Sequence, residues 1–169
     1  NTSNFLNPIV VNQGLFAYGG GFDDEAFIHD LETGTLLSTF QPPDQVAGVD
    51  INKDFLAIAG GDTIIRDLNN FSLVHQFGAG FGPNDVAMND NKVAIALQSG
   101  GTEIRDLTTG NLDHHLQQQQ DCSHVDMDND HVAFEGGNNE VFVHDPNTGN
   151  LIYTLTNAFT TIQGLALNS

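Results

Sequence analysis

The chain has no tryptophan, a single cysteine and only 4 Lys+Arg residues against 22 Asp+Glu. Each shortage excludes something. A formal net charge of −18 repels phosphate, so neither nucleic acid nor an anionic lipid surface is expected as a partner. One cysteine, Cys122, allows no intrachain disulfide and no zinc cluster. No apolar run approaches the ~18 residues that a membrane-spanning helix requires, so no membrane insertion is expected. No leader peptide is visible, although a mature chain would have lost one. The lone cysteine alone would suit a reducing compartment. The scarcity of lysine and two glycosylation sequons, at Asn1 and Asn70, point the other way. The expected localisation is extracellular or at the cell surface.

What is present is repetition. "FIHDLETGTLLSTF" from Phe27, "IIRDLNNFSLVHQF" from Ile64, "EIRDLTTGNLDHHL" from Glu103 and "VFVHDPNTGNLIYTL" from Val141 are one line written four times. Their aspartates, Asp30, Asp67, Asp106 and Asp145, lie 37, 39 and 39 residues apart, a spacing typical of repeat architectures. Before each motif stands an alternating stretch such as "VAGVDIN", then a polar turn, then an apolar run such as "FLAIAGG" that reads as a strand buried on both faces. After it comes Asp-x-x-Thr-Gly and a final strand. Aspartate accepts backbone N–H bonds and opens a tight turn. Gly34, Gly110 and Gly149 supply the positive φ of a three-residue hairpin. The second unit has Asn70-Phe71 instead, which predicts a looser turn.

Each unit is therefore a four-stranded antiparallel meander, and the fold class is all-β, a β-propeller of about four blades with one extra strand. The units fall at about 8–44, 45–82, 83–120 and 121–159 within a single domain, and 160–169 begins a further one, because "TIQGLALNS" matches "QVAGVDIN". The repeats resemble FG-GAP-type and WD-repeat-like propeller blades over nearly the whole chain. The missing tryptophan departs from WD and quinoprotein-type blades and argues against a stacked quinone. Such folds host unrelated roles, so the resemblance implies architecture rather than activity.

Asp126, Asp128 and Asp130 have the spacing of a cation loop, and Ca²⁺ is the cofactor such a loop would take. The equivalent turns "NKD" and "NDNK" have no metal character, so a polar hairpin is the better reading. Asp23 and Asp24 form a second acidic pair, read as a solvated tip with cation binding as its rival. "YGGGFDD" lacks the Lys-Ser/Thr of a phosphate cradle. His29 and His144 exchange with Arg66 and Arg105 at one repeat position, which suits a strand-end polar site pairing with neighbouring carboxylates rather than a catalytic base. His114 and His115 are adjacent on a strand and point to opposite faces. Cys122 and His124 lack a third orienting group, which favours a buried thiol over a nucleophile.

No catalytic residue and no resident cofactor are expected. The expected function is non-enzymatic: binding or structural assembly with other protein, through self-assembly, head-to-tail strand pairing or the remainder of a longer propeller. The rivals are a hydrolase or lyase built on Asp50, Asp85, Asp126 and His124 in the central opening, and a lectin or cation-dependent adhesin.

Overall fold

The computed structural model describes residues 8–20, 24–78, 82–98, 100–117, 121–136, 140–156 and 162–167. Asn1, Asp23 and, of the expected further unit at 160–169, residues 160, 161, 168 and 169 lie outside them. The described residues form four antiparallel four-stranded sheets and no helix.

The first sheet comprises β1 Ile9–Asn12, β2 Leu15–Gly19, β3 Ala26–Asp30 and β4 Leu36–Phe40. The second comprises β5 Gly48–Ile51, β6 Phe55–Gly60, β7 Asp62–Asp67 and β8 Leu73–Gly78. In the third are β9 Pro83–Met88, β10 Lys92–Leu97, β11 Thr102–Asp106 and β12 Leu112–Leu116, and in the fourth β13 Val125–Met127, β14 Val132–Gly136, β15 Glu140–His144 and β16 Leu151–Leu155. Within every sheet the strands follow chain order. The first strand of each sheet packs on its predecessor: β5 on β1 and β2, β9 on β5 and β6, β13 on β9 and β10. The result is a propeller-like succession of blades with the first strands innermost.

The turn closing the third and fourth strands is the same in all four sheets. In the first, Gly34 N–H donates to Asp30 O at 2.9 Å and Asp30 Oδ1 accepts from Thr33 N–H at 2.7 Å. Gly34, Gly110 and Gly149 have φ of 69°, 73° and 72°. The strand register slips just before each turn, at Ile28/His29, Ile65/Arg66, Ile104/Arg105 and Val143/His144. A left-handed residue followed by a bulge is how a three-residue hairpin keeps the twist of its strands. The second unit corrects the expectation of looseness. Phe71 itself adopts φ 58°, and its N–H donates to Asp67 O at 2.8 Å. The strain of a non-glycine residue there is offset by packing: the Phe71 ring lies 5.8 Å from that of Phe40 in the neighbouring sheet.

The core consists of three clusters, one at each junction between sheets. Each junction sets a small face against a large one. Ala17 and Ile28 of the first sheet meet Leu56, Ile58 and Ile64 of the second. Ala57 and Ala59 meet Val93 and Ile95 of the third, and Ala94 and Ala96 meet Val132 and Phe134 of the fourth. The alanine follows from the repeat, because it stands at the same position in "LFAYG", "FLAIA", "KVAIA" and "HVAFE". A small side chain there lets successive sheets close to interior packing density.

Candidate functional site

The inner strands carry the polar chemistry. At their ends stand Asn12, Asn52, Asn89 and Asp128, and the last three close the following turn. Asn52 Oδ1 accepts the N–H groups of Asp54 and Phe55, Asn89 Oδ1 those of Asn91 and Lys92, and Asp128 Oδ1 those of Asp130 and His131, all at 2.7–2.9 Å. The amides also reach sideways. Asn12 Nδ2 donates to Ile51 O at 2.6 Å, Asn52 Nδ2 to Asn89 O at 2.8 Å and Asn89 Nδ2 to Asp128 O at 3.1 Å. This side-chain ladder runs from sheet to sheet.

Carboxylates form a second ladder. Asp50 Oδ2 accepts Met88 N–H at 2.6 Å, Asp85 Oδ2 accepts Val125 N–H at 3.2 Å and Asp126 Oδ2 accepts Leu167 N–H at 2.5 Å. Each Oδ1 meanwhile accepts the N–H of the next residue along its own strand, at 2.8–2.9 Å. Asp50 and Asp85 thus each link one inner strand to the next, and Asp126 ties β13 to the stretch 162–167. Burial pushes the Asp50 carboxyl up to about 7 and that of Asp85 up to about 6. In both cases burial outweighs the N–H bonds, which favour the ionised form.

β5 and β9 approach closely enough for the Asp50–Met88 bond because of Gly48. A Cβ at that position would lie 2.8 Å from Asp85 Cα, so no other residue fits without moving the strand.

A cavity of about 280 Å³ opens where the inner strands end. It is lined by Asn12, Asn52, Asn89, Asp128 and Leu167, one from each successive unit, with Lys53 and Asp90 at its rim. Its walls include the Asn12, Asn52 and Asn89 amides already engaged in the ladder and the turn-closing carboxylate of Asp128.

The remaining sequence candidates are dispersed. Asp126 serves the carboxylate ladder, Asp128 serves its turn and Asp130 follows in that turn, exposed, so the three carboxylates do not converge; among the described residues no group of three metal-ligating side chains does. Asp24 has φ 54° beside the undescribed Asp23. Burial alone would raise the Asp128 carboxyl, but N–H bonds from Asp130 and His131 hold it below its ordinary value. The His/Arg position has a partner that repeat reasoning missed. His29 Nδ1 donates to Gly34 O, Arg66 to Phe71 O, Arg105 to Gly110 O and His144 Nδ1 to Gly149 O, at 2.8–3.3 Å. The common acceptor is the turn carbonyl, not a carboxylate, and among the described residues only Arg105 adds an ion pair, with Glu103 at 2.7 Å. His114 Nε2 donates to Asn147 O in the next sheet at 3.0 Å, while His115 lies opposite Glu103 across its own sheet. Cys122 is wholly buried, and its Sγ meets Thr102 Oγ1 and the carbonyl of His124 rather than an imidazole. The His124 ring instead pairs with Glu135 at 3.0 Å. Asn70 is exposed, and its Oδ1 accepts Ser72 N–H at 2.8 Å.

No protein-family model matches the chain, and no curated protein does. Among solved structures, the crystal structure of the computationally designed Ika8 protein superposes with a TM-score of 0.82 at 15% identity, over 95% of this chain and 52% of that one. The chain therefore spans about half the length of that protein. At such identity the likeness is one of fold alone.

Proposed function

We propose that the protein is a non-enzymatic β-propeller module, of FG-GAP-type or WD-repeat-like kinship, that works outside the cell by binding or assembling with other polypeptide. The observation that carries this reading is the use made of Asp50, Asp85 and Asp126. A general acid or base needs a carboxyl free to face substrate. These three have both oxygens engaged by backbone N–H groups, and Asp50 and Asp85 serve as joints between blades. The exposed sequon at Asn70 and the acidic, lysine-poor surface support the extracellular setting.

The test is a turnover screen with glycoside, uronide, ester and peptide substrates. No turnover is expected. Turnover that disappears in Asp85→Asn or His124→Ala, with the melting temperature retained, would establish the hydrolase or lyase reading instead. A glycan array with and without chelator separates the lectin reading, which requires binding that chelation removes.

A further inference from the structure

The cavity of about 280 Å³ where the inner strands end is walled by groups whose hydrogen-bonding capacity is only partly used. A carboxamide carries two N–H donors. Asn12, Asn52 and Asn89 each commit one of them to a carbonyl of the next unit, and among the described residues the second has no partner. Asp128 breaks the series of amides. Its Oδ1 accepts the two N–H groups of its turn, while among the described residues Oδ2 meets only His131 Nδ1, at 3.5 Å. Burial acts to raise this carboxyl, but the N–H bonds from Asp130 and His131 keep it below its ordinary value. It is therefore ionised at neutral pH. The wall offers three donors and one anionic acceptor.

That set selects a ligand class. An anion would meet Asp128 and Asp90 with only Lys53 in its favour, on a chain of net charge −18. A metal cation needs free oxygens, but Oδ1 of Asn52 and Oδ1 of Asn89 each already accept two turn N–H groups. An ammonium group carries donors alone and would leave the three amide donors unmatched. A hydroxyl both donates and accepts. Adjacent hydroxyls on one ring can donate to Asp128 and accept from the amides. Such a ring also has C–H surface, and Met88, Met127 and Leu167 supply the cavity with an apolar patch to meet it. The volume lies just under the ~300 Å³ at which pockets for drug-sized ligands begin, which matches a single ring better than a longer molecule.

We propose that this cavity binds a neutral sugar ring by its vicinal hydroxyls, without a metal ion. The amides of Asn12, Asn52 and Asn89 donate to the ring hydroxyls, and the Asp128 carboxylate accepts from one of them. The site goes beyond the assembly reading and stands or falls without it.

The experiment is a saturation-transfer NMR titration of the intact chain with glucose, galactose, mannose and their methyl glycosides, in excess chelator. At least one of these sugars is expected to bind, and glucuronate at least about tenfold more weakly, because its carboxylate faces Asp90 and Asp128. Binding of the methyl glycosides as well identifies the terminal ring of a glycan as the source, and binding of the free sugars alone identifies free sugar; both uphold the site. Asp128→Asn places in the fourth unit the residue that the second and third units carry at Asn52 and Asn89, so the turn is kept, and the melting temperature verifies this. It exchanges the acceptor for a donor and should weaken binding more than about tenfold. Asn12→Ala, on the exposed end of the first strand, should weaken it about threefold to tenfold. No binding by any of these sugars, binding that requires a divalent cation, or affinity unchanged in both variants would each overturn the proposal.

Discussion

The carboxylate of Asp50 leaves its own sheet to accept the backbone N–H of Met88 at 2.6 Å, in the inner strand of the next sheet. An inner strand has no hydrogen-bonded neighbour on its axial side, so its outward N–H groups would be orphaned in a buried setting. The acid supplies the missing acceptor and holds two blades at a fixed separation. The cost is that a carboxyl is kept out of water.

That cost sets a dependence on pH. Asp50 and Asp85 are raised to about 7 and about 6, chiefly by burial. Between the unfolded value of about 4 and those values the folded chain binds more protons than the unfolded one, so stability falls as pH rises through this window. Urea midpoints are expected to decline from about pH 5 to pH 7.5. Asp50→Asn should flatten that decline. A midpoint that rises over the window would contradict the account.

On the acid side the turn aspartates act with opposite sign. Thr33 bonds lower Asp30, the Thr109 N–H and hydroxyl lower Asp106, and the Asn147 N–H and Thr148 hydroxyl lower Asp145. Their contribution is present above the unfolded value near 4 and is lost as pH falls through the lowered values. Stability should therefore peak at mildly acid pH. In Asp106→Ala the loss below about pH 4 should be shallower than in the parent chain, as followed by circular dichroism.

The turn glycines offer a paired comparison. Gly34 has φ 69°, and no atom lies within 4 Å of the place a Cβ would take, so Gly34→Ala isolates the backbone strain, about 1 kcal/mol. At Gly149 a Cβ would also meet His114 Nδ1 at 2.8 Å. Gly149→Ala should cost more, because His114 must release Asn147 O or shift. Equal losses in denaturant titrations would show that His114 moves freely.

Asn52 is 5% exposed and serves three bonds, two closing its turn and one reaching Asn89 O. Its replacement by Ala leaves buried backbone groups unmatched, at a cost of about 1–3 kcal/mol. Asn12, on the partly exposed first strand, makes only the bond to Ile51 O among its described side-chain contacts, and Asn12→Ala should cost less.

Burial pushes the Cys122 thiol up to about 11, and the side chain has no exposed surface. Labelling by a thiol reagent at neutral pH should proceed only at the rate of opening. Rapid labelling in native buffer would place the thiol outside the core.

The repeats, the strand order and the turn glycines were legible because each rests on local chemistry repeated at one spacing. The ladders were not. Asp50 and Asp126 share a repeat position, but Ala87 holds that place in the third unit and Asp85, two residues earlier, does the work. An alignment of units therefore sees no column. The asparagines were visible as turn residues, yet their sideways donation depends on how closely the sheets approach. The substitution of Phe71 for glycine misled for a related reason. Its strain is local, and its compensation lies in the ring of Phe40, one sheet away.

The pairing of a large face with an alanine face gives every blade a direction, like an arrow and not a tile. Any blade can follow any other, but none can be turned around. Gain or loss of whole units is then a change in number alone, open to duplication without redesign of a contact, whereas one bulky residue at Ala57 or Ala94 alters how sharply the whole succession bends.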